Sequence, residues 1–296
     1  MPLVLPARQP FSFQSVVNSH GWVQLLPFEY DQQQAVLGYI LELASGRVIE
    51  LTIQAAPEGV LVETGAALDA SEQDELARKV TWMLALDQDL AGFYAVANRE
   101  PKLAHVEAKA QGRVLRSATL FEDVIKTILT TNTLWAATKR MNGNLIARFG
   151  KPLPGDENRL AFPTPQSIAA SDEQTLRTET RLGYRAPYVL AVARAAASGE
   201  VDLEALKTSS LPSGELRKQL LQLKGVGGYA AANLLLLLGR GDYLPIDTWA
   251  IKLVSEEWYG AEPVGPKEVA AAFEGWGEWK GLAYWFWDWA YLHKGE

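Results

Sequence analysis

The residues best suited to chemistry lie in two short stretches, with Asp247 following Gly225 by 22 positions. The first stretch is Leu223-Lys224-Gly225-Val226-Gly227-Gly228-Tyr229, flanked on both sides by apolar segments of helical character. Gly225 and Gly227 allow a tight backbone path that a Cβ would obstruct. A helix opening at Tyr229 would point free amides at that turn, and the two together make a site for a phosphate oxygen. A contact of this kind holds a nucleic-acid backbone and reads no base sequence. An ordinary packing turn between two helices also fits Gly-x-Gly. A dinucleotide fingerprint does not, because no strand precedes the turn and the third glycine is missing. The second stretch is Pro245-Ile246-Asp247-Thr248-Trp249-Ala250-Ile251-Lys252. Here Asp247 stands where it can cap a helix by accepting the amide of Trp249 or Ala250. A cap fixes the carboxylate in place, and the positive end of the helix dipole favours its charged form. Such a group can stabilise a developing cation and orient a water.

The elements that must position these residues read as two unlike halves. Val36–Leu43 and Arg47–Ile53 are β-rich and meet at Ser45-Gly46, and Glu58-Gly59 turns into Val60–Thr64. That pattern predicts a small antiparallel meander. Ser71 is placed to cap a helix carrying Leu76, Val80, Met83 and Leu84. From about Leu115 the chain reads as helix. Leu120, Phe121, Val124, Ile125, Ile128 and Leu129 form one apolar face. Residues 150–165 read as a loop, and helices are expected at Ala186–Ala197, Leu216–Leu223, Thr248–Glu257 and Lys280–Leu292. Leu234–Leu238 should be buried all round. The expectation is an α+β protein, with a sheet domain over 1–110 and a helical domain over 111–296.

Composition excludes several chemistries. There is no Cys, which removes disulfides, thiolate zinc sites, iron–sulfur clusters and a Cys nucleophile. Three His (His20, His105, His293) show no metal-ligand spacing, so no metal is expected on side chains. No basic-then-apolar leader is visible over Met1–Gln9, and Tyr229–Leu238 is far shorter than the roughly 20 residues that span a bilayer. The expectation is an intracellular, cytoplasmic and nucleoid-associated protein that acts as a monomer, away from membranes. The net charge is −7, but its distribution is uneven. Residues 113–148 carry six Lys/Arg against two Asp/Glu, and residues 216–254 carry five against two, whereas 255–296 carry three against eight. The basic excess falls on the segments holding the glycine turn and the first apolar helix, as a nucleic-acid partner requires.

The two stretches together resemble the helix-hairpin-helix superfamily of DNA glycosylases. Its pattern runs Leu-x-Gly-x-Gly-x-x-x-Ala, a helix, then Pro-x-Asp, and is matched by Leu223, Gly225, Gly227, Ala231, Pro245 and Asp247. The resemblance covers about Leu115 to Leu292. It implies a repair enzyme that flips a damaged base out of double-stranded DNA and cleaves its glycosidic bond. Asp247 would be the catalytic carboxylate, and Lys224, Gly225, Val226, Gly227 and Gly228 would form the phosphate grip. A monovalent cation held by turn carbonyls is a further family expectation; no other cofactor is implied. In bifunctional members a hairpin lysine forms an imine with the sugar. Tyr229 occupies that position and cannot do so, which points to hydrolysis without lyase activity. Lys224 precedes the turn and reads as a solvated or phosphate-contacting lysine.

Two branches of the family leave traces. Thr130-Thr131-Asn132-Thr133 and Leu182-Gly183-Tyr184-Arg185-Ala186 resemble elements of the 8-oxoguanine group. They imply that Asn132, with Thr133, fills the gap left by the flipped base, while Tyr184 wedges beside the orphaned base and Arg185 contacts its edge or the backbone. A helix-capping Asn132 and a surface Tyr-Arg pair fit the same residues. The aromatic Tyr229 and the element Trp279-Lys280-Gly281-Leu282-Ala283 are similar to the alkylbase branch, where an aromatic wall suits a cationic base. Tyr229, Trp279 and Trp135 are the candidates for that wall; core packing explains Trp285, Trp287 and Trp289 equally well. Four readings follow: a monofunctional glycosylase for alkylated purines, a glycosylase for oxidised purines, a non-catalytic damage-binding module, and a helical protein-interaction domain.

Overall fold

A computed structural model describes residues 2–289. It contains a five-stranded antiparallel sheet near the N-terminus, followed by a long helical region. The strands are β1 (Leu3–Pro6), β2 (Phe28–Asp31), β3 (Val36–Glu42), β4 (Val48–Ala56) and β5 (Gly59–Thr64), in the order β1-β5-β4-β3-β2. The meander β3-β4-β5 forms where alternation predicts it. Ile49, Leu51 and Ile53 are buried on β4, while Glu50, Thr52 and Gln54 between them are less so. The β3–β4 turn is closed by Gly46 N–H donating to the Leu43 carbonyl at 2.8 Å, with Gly46 in the left-handed region at φ +80°. The flanking strands β1 and β2, four residues each, are too short to display a period. They are specified by register against β5 and β3, with Leu5 opposite Val60 and Phe28 opposite Tyr39.

Four expectations need correction. The Ala70–Met83 helix is capped by Asp69 rather than Ser71: Asp69 accepts the Glu72 amide at 2.9 Å and Glu72 accepts the Asp69 amide at 3.3 Å. Residues 150–165 are not all loop, because Pro152–Leu153 pairs with Asp156–Leu160 and Leu153 packs on Ile40, Val48 and Ala161. The Leu120–Thr130 helix does not bury one face only; ten of its eleven residues are buried. The closing helix runs only Lys280–Phe286, and the chain then turns extended at Trp287 so that Trp287 and Trp289 pack onto Trp258 and Phe273. The last residues of the expected helix, 290–292, lie outside the described residues, as does His293. Among the described residues no helix is long and apolar enough to cross a membrane.

The charged residues of the Leu120–Thr130 helix survive burial because each has a partner, whereas the buried Thr127 hydroxyl has none among the described residues. Lys126 pairs with Glu122 at 2.6 Å, Tyr39 donates to Glu122 at 2.5 Å, and Asp123 accepts both Trp22 Nε1–H at 2.8 Å and the Ser117 amide at 2.9 Å. Burial nevertheless raises Asp123 to about 6 against those hydrogen bonds. His20 donates a ring N–H to the Leu115 carbonyl at 2.6 Å, and burial lowers it to about 4. The signs are opposite. As pH falls from 6.5 toward 4, the unfolded chain protonates His20 and the native chain does not, which costs stability of order 3 kcal/mol in full. Over about 6 to 4 the native chain protonates Asp123 while the unfolded chain does not, which adds stability. His20→Gln should therefore flatten the acid limb below pH 6.5 relative to the native protein, as read by urea midpoints across a pH series. Superimposable curves would mean that His20 protonates as freely folded as unfolded.

Contacts divide the chain into two compact units that interleave in sequence. One comprises the N-terminus to Gln88, Arg113–Ser209 and Leu223–Gly225; the other comprises Asp89–Gly112, Ser210–Gln222 and the chain from Val226 onward. The boundary expected near residue 110 falls close to one of the crossings, between Gly112 and Arg113, and the helical half is shared between both units. In the first unit Arg113 is buried and donates to the carbonyls of Arg8, Pro10, Ala85 and Gln88, which ties the N-terminal segment to the end of the first long helix.

Candidate active site

The glycine hairpin forms as the spacing predicts. The Ser213–Gln222 helix ends, Gly225 takes φ +86°, and the Gly228–Leu237 helix begins with Gly227 as its N-cap. The two glycines do different things. A Cβ on Gly225 would lie 2.7 Å from Tyr188 Cβ, so the turn is pressed against the Ala186–Ser198 helix. A Cβ on Gly227 would meet nothing within 4 Å, and its backbone is extended. The expectation that both glycines relieve crowding thus holds at Gly225 alone; Gly227 keeps an open approach to the helix amides. Gly227, Gly228 and Lys224 are exposed, whereas Val226 is buried and anchors the turn. Seven of the ten residues in the Gly228–Leu237 helix are buried, so the amides are carried by a rigid element. Sequence reasoning missed Arg217. Its Nη2 would lie 3.5 Å from a Cβ on Gly228, and its guanidinium sits 5.1 Å from the Tyr243 ring centre, which puts a cation beside the helix start. A lone Arg inside an amphipathic helix carries no signal of that placement.

Asp247 is the N-cap of the Thr248–Trp258 helix and accepts the Ala250 amide at 2.8 Å. It is half-buried. Close to it in the same unit is Tyr284, a second residue the sequence did not single out. Burial raises the Tyr284 hydroxyl well above its ordinary range, and the Asp247 carboxylate and Tyr229 push it the same way. The phenol thus stays protonated and can donate beside the carboxylate. Two glycines hold the closing helix there. Gly281 N–H donates to the Gly241 carbonyl at 2.5 Å, and a Cβ on Gly281 would stand 2.8 Å from that oxygen and 2.9 Å from the Tyr243 carbonyl. Only at that approach does the helix reach the segment leading into Pro245 and Asp247. The Tyr284 hydroxyl thus lies within electrostatic reach of both Asp247 and Tyr229. Trp279, from the same expected wall, seats its ring on Gly92 and Phe93, 5.9 Å between ring centres.

In the other unit, the loop after Leu120–Thr130 carries Asn132 in the left-handed region at φ 46°, a conformation that Asn tolerates. Asn132 is exposed and does not cap the following helix, whose N-cap is Leu134. Leu134 is itself 80% exposed and was not anticipated. Arg185 is only 6% exposed and donates to the carbonyls of Thr131 and Asn132, so it holds the loop in shape rather than standing free on the surface. Tyr184 lies on that guanidinium, 4.4 Å from ring centre to Cζ, donates its hydroxyl to the Thr131 carbonyl at 3.2 Å, and is 47% exposed. Thr133 is half-buried between Asn132 and Leu134. Trp135 donates to Gln24 at 3.0 Å and covers Gly21, where a Cβ would lie 2.5 Å from its ring. Its ring is thereby committed to packing within this unit. Among the described residues no group of three or more His, Asp or Glu is arranged to hold a metal ion.

A capped carboxylate thus follows a glycine hairpin between two helices, in a chain that also carries an antiparallel sheet. The chain belongs to the HhH-GPD superfamily of base excision DNA repair proteins, whose sequence profile matches residues 125–278, just over half of its length. It is 25% identical over 167 residues to a DNA-3-methyladenine glycosylase of Bacillus subtilis (strain 168); the match covers 56% of this chain and 54% of that relative. The fold is similar to that of a 3-methyladenine DNA glycosylase from Archaeoglobus fulgidus, with a TM-score of 0.74 at 20% identity over 97% of both chains. It is also similar to that of a Clostridium acetobutylicum 8-oxoguanine glycosylase/lyase in complex with double-stranded DNA, with a TM-score of 0.73 at 21% identity over 97% of this chain and 93% of that one.

Proposed function

We propose that the chain binds double-stranded DNA containing a damaged purine, everts that nucleotide and hydrolyses its N-glycosidic bond, with alkylated bases as its substrates. The observation that carries this reading is Asp247 held as a helix cap, with the Tyr284 hydroxyl within electrostatic reach of it and of Tyr229, and no lysine at the hairpin position. Eversion costs a few kcal/mol and leaves a gap in the duplex. The exposed Asn132, Leu134 and Tyr184 are available to fill it. The glycine hairpin, Lys224 and Arg217 would hold phosphates and so fix the strand without reading its sequence. As the glycosidic bond lengthens, positive charge builds on the deoxyribose. Asp247 is held by its cap to meet that charge and to direct a water at the sugar carbon. A base carrying a formal positive charge, such as 3-methyladenine or 7-methylguanine, is attracted to the electron-rich faces of the tyrosines.

Tyr229→Ala should lower release of a cationic base about tenfold and release of a neutral one much less, whereas Tyr229→Phe should match the native protein. Equal losses on both kinds of base would remove the cation–π account. The absence of a lysine at position 229 supports hydrolysis without strand cleavage, so borohydride should trap no covalent adduct on lesion DNA. A second reading, excision of oxidised purines, is favoured by Asn132 together with the Tyr184-Arg185 clamp on its loop. Measuring release of 3-methyladenine and 7-methylguanine from methylated DNA beside 8-oxoguanine from a defined duplex decides between them. Release of 8-oxoguanine alone overturns the first reading.

A further inference from the structure

A pocket of about 350 Å³ opens in the unit that carries the sheet, and it contains none of the residues assigned above to the reaction or to DNA. Its walls are β3, the start of the Leu120–Thr130 helix, residues 162–165, and the end of the Ala186–Ser198 helix with the turn after it. The size suits a small organic ligand, and the lining is mainly apolar with a few convergent polar groups, as such sites are. Phe121 and Phe162 meet edge to face at 6.4 Å.

The charges around the pocket have one sign. Besides Tyr39, its ionisable lining residues are Glu42, Glu122, Asp202 and Glu204, with no Lys, Arg or His among them. Three of the four acids are paired with lysines that do not line the pocket: Glu42 with Lys151 at 3.2 Å, Glu122 with Lys126 at 2.6 Å and Glu204 with Lys207 at 2.5 Å. Asp202 accepts the Ala205 amide at 3.0 Å and has no ion pair among the described residues. Two amides at the helix start are already taken, because Glu204 accepts the Leu120 amide at 2.8 Å and Thr119 accepts that of Glu122 at 3.2 Å. One negative charge thus remains over an aromatic-walled cavity.

Both helices that end at this pocket lead to the exposed loops. The Leu120–Thr130 helix runs from the pocket to Thr131 and Asn132, roughly 16 Å at 1.5 Å per residue. The Ala186–Ser198 helix starts directly after Tyr184-Arg185 and reaches the pocket with Ala196 at its other end. We infer that the pocket is an effector site for a small, flat apolar molecule carrying one positive charge, of the aryl-alkyl ammonium class, and that its occupation is transmitted along the two helices to the Asn132 and Tyr184 loops. The ligand's ring would lie against the wall that Phe121 and Phe162 form together, and its ammonium would face Asp202. Packed helices respond to a wedge at one end by small rigid shifts. The transmitted half rests on those loops touching DNA; the binding half does not.

Titrating the full chain with phenethylamine hydrochloride, 2-phenylethanol or 3-phenylpropionate, followed by ¹⁵N–¹H spectra, tests the site. The ammonium should shift resonances of the pocket residues, the alcohol should bind at least threefold more weakly, and the carboxylate should not bind. Asp202→Asn keeps an oxygen for the Ala205 amide and should bring amine and alcohol to equal affinity. Ala196→Phe fills the cavity and should abolish both. No shifts at the pocket, equal binding of the carboxylate, or an amine preference that persists in Asp202→Asn overturns the site. Saturating amine should change the Kd for an abasic duplex at least twofold in the native chain and not in Ala196→Phe. Binding of the amine with an unmoved Kd overturns the transmission, and excision activity enters none of these readouts.

Discussion

Asp247→Asn should abolish excision while leaving the fold and lesion binding intact. Asn presents the same side-chain oxygen to the Ala250 amide, now 2.8 Å from the carboxylate, so the cap on the Thr248–Trp258 helix survives. Loss of a capping side chain altogether would cost about 1 kcal/mol, and the Asn exchange should cost less. What disappears is the negative charge that, on the proposed reading, faces the sugar. Removing one pre-organised electrostatic partner of a transition state typically slows the step by about 10²–10³. Single-turnover release of base from a lesion duplex should fall by at least that factor, with Kd for the same duplex within a few-fold of native. Undiminished release would remove Asp247 from the reaction; release and binding lost together, with a lowered Tm, would make it only a cap.

Gly225→Ala and Gly227→Ala should separate folding from binding. At Gly225 the backbone sits at φ +86°, where an L-residue is strained by about 1–2 kcal/mol, and the new methyl would press on Tyr188 Cβ at 2.7 Å. Overpacking of that kind adds about 1–3 kcal/mol. The variant should unfold at markedly lower urea and lose DNA binding with it. At Gly227 a Cβ meets open space and the dihedrals are ordinary. Gly227→Ala should cost no more than about 1 kcal/mol of unfolding free energy, the cost of Ala at a helix N-cap. Its methyl instead stands in the approach to the helix amides, so affinity should fall alike for every duplex sequence. A Gly227→Ala protein that binds normally would show that the phosphate does not lie there.

These variants also mark what the sequence made legible. Local chemistry was readable: a Gly-x-Gly turn, a helix-capping Asp after a proline, and alternating β4 residues each announce their own conformation within a few positions. Long-range placement was not. Tyr284 comes within electrostatic reach of Asp247 only because Gly241 and Gly281 let two backbones touch, and Arg217 comes near the helix start only once the hairpin is folded. Neither fact has a local period. Burial misled in the same way. Glu122, Asp123 and Lys126 lie outside the apolar face that the sequence pattern marks, yet partners 83 and 101 residues away in sequence, Tyr39 and Trp22, bond Glu122 and Asp123 inside the core. The very short strands β1 and β2 exist because β5 and β3 offer unpaired edges, a property of the assembled sheet.

The seat of Trp279 on Gly92 and Phe93 bears on how the polypeptide can be cut. Residues 89–110 precede the boundary that sequence patterning suggests, yet they are wrapped into the unit that holds Asp247. A fragment begun at residue 111 would strip the indole of its cover and open the packing just before Lys280–Phe286, the helix that brings Tyr284 to the carboxylate. Dissection of this protein at the apparent end of its sheet would therefore damage the half it aimed to isolate.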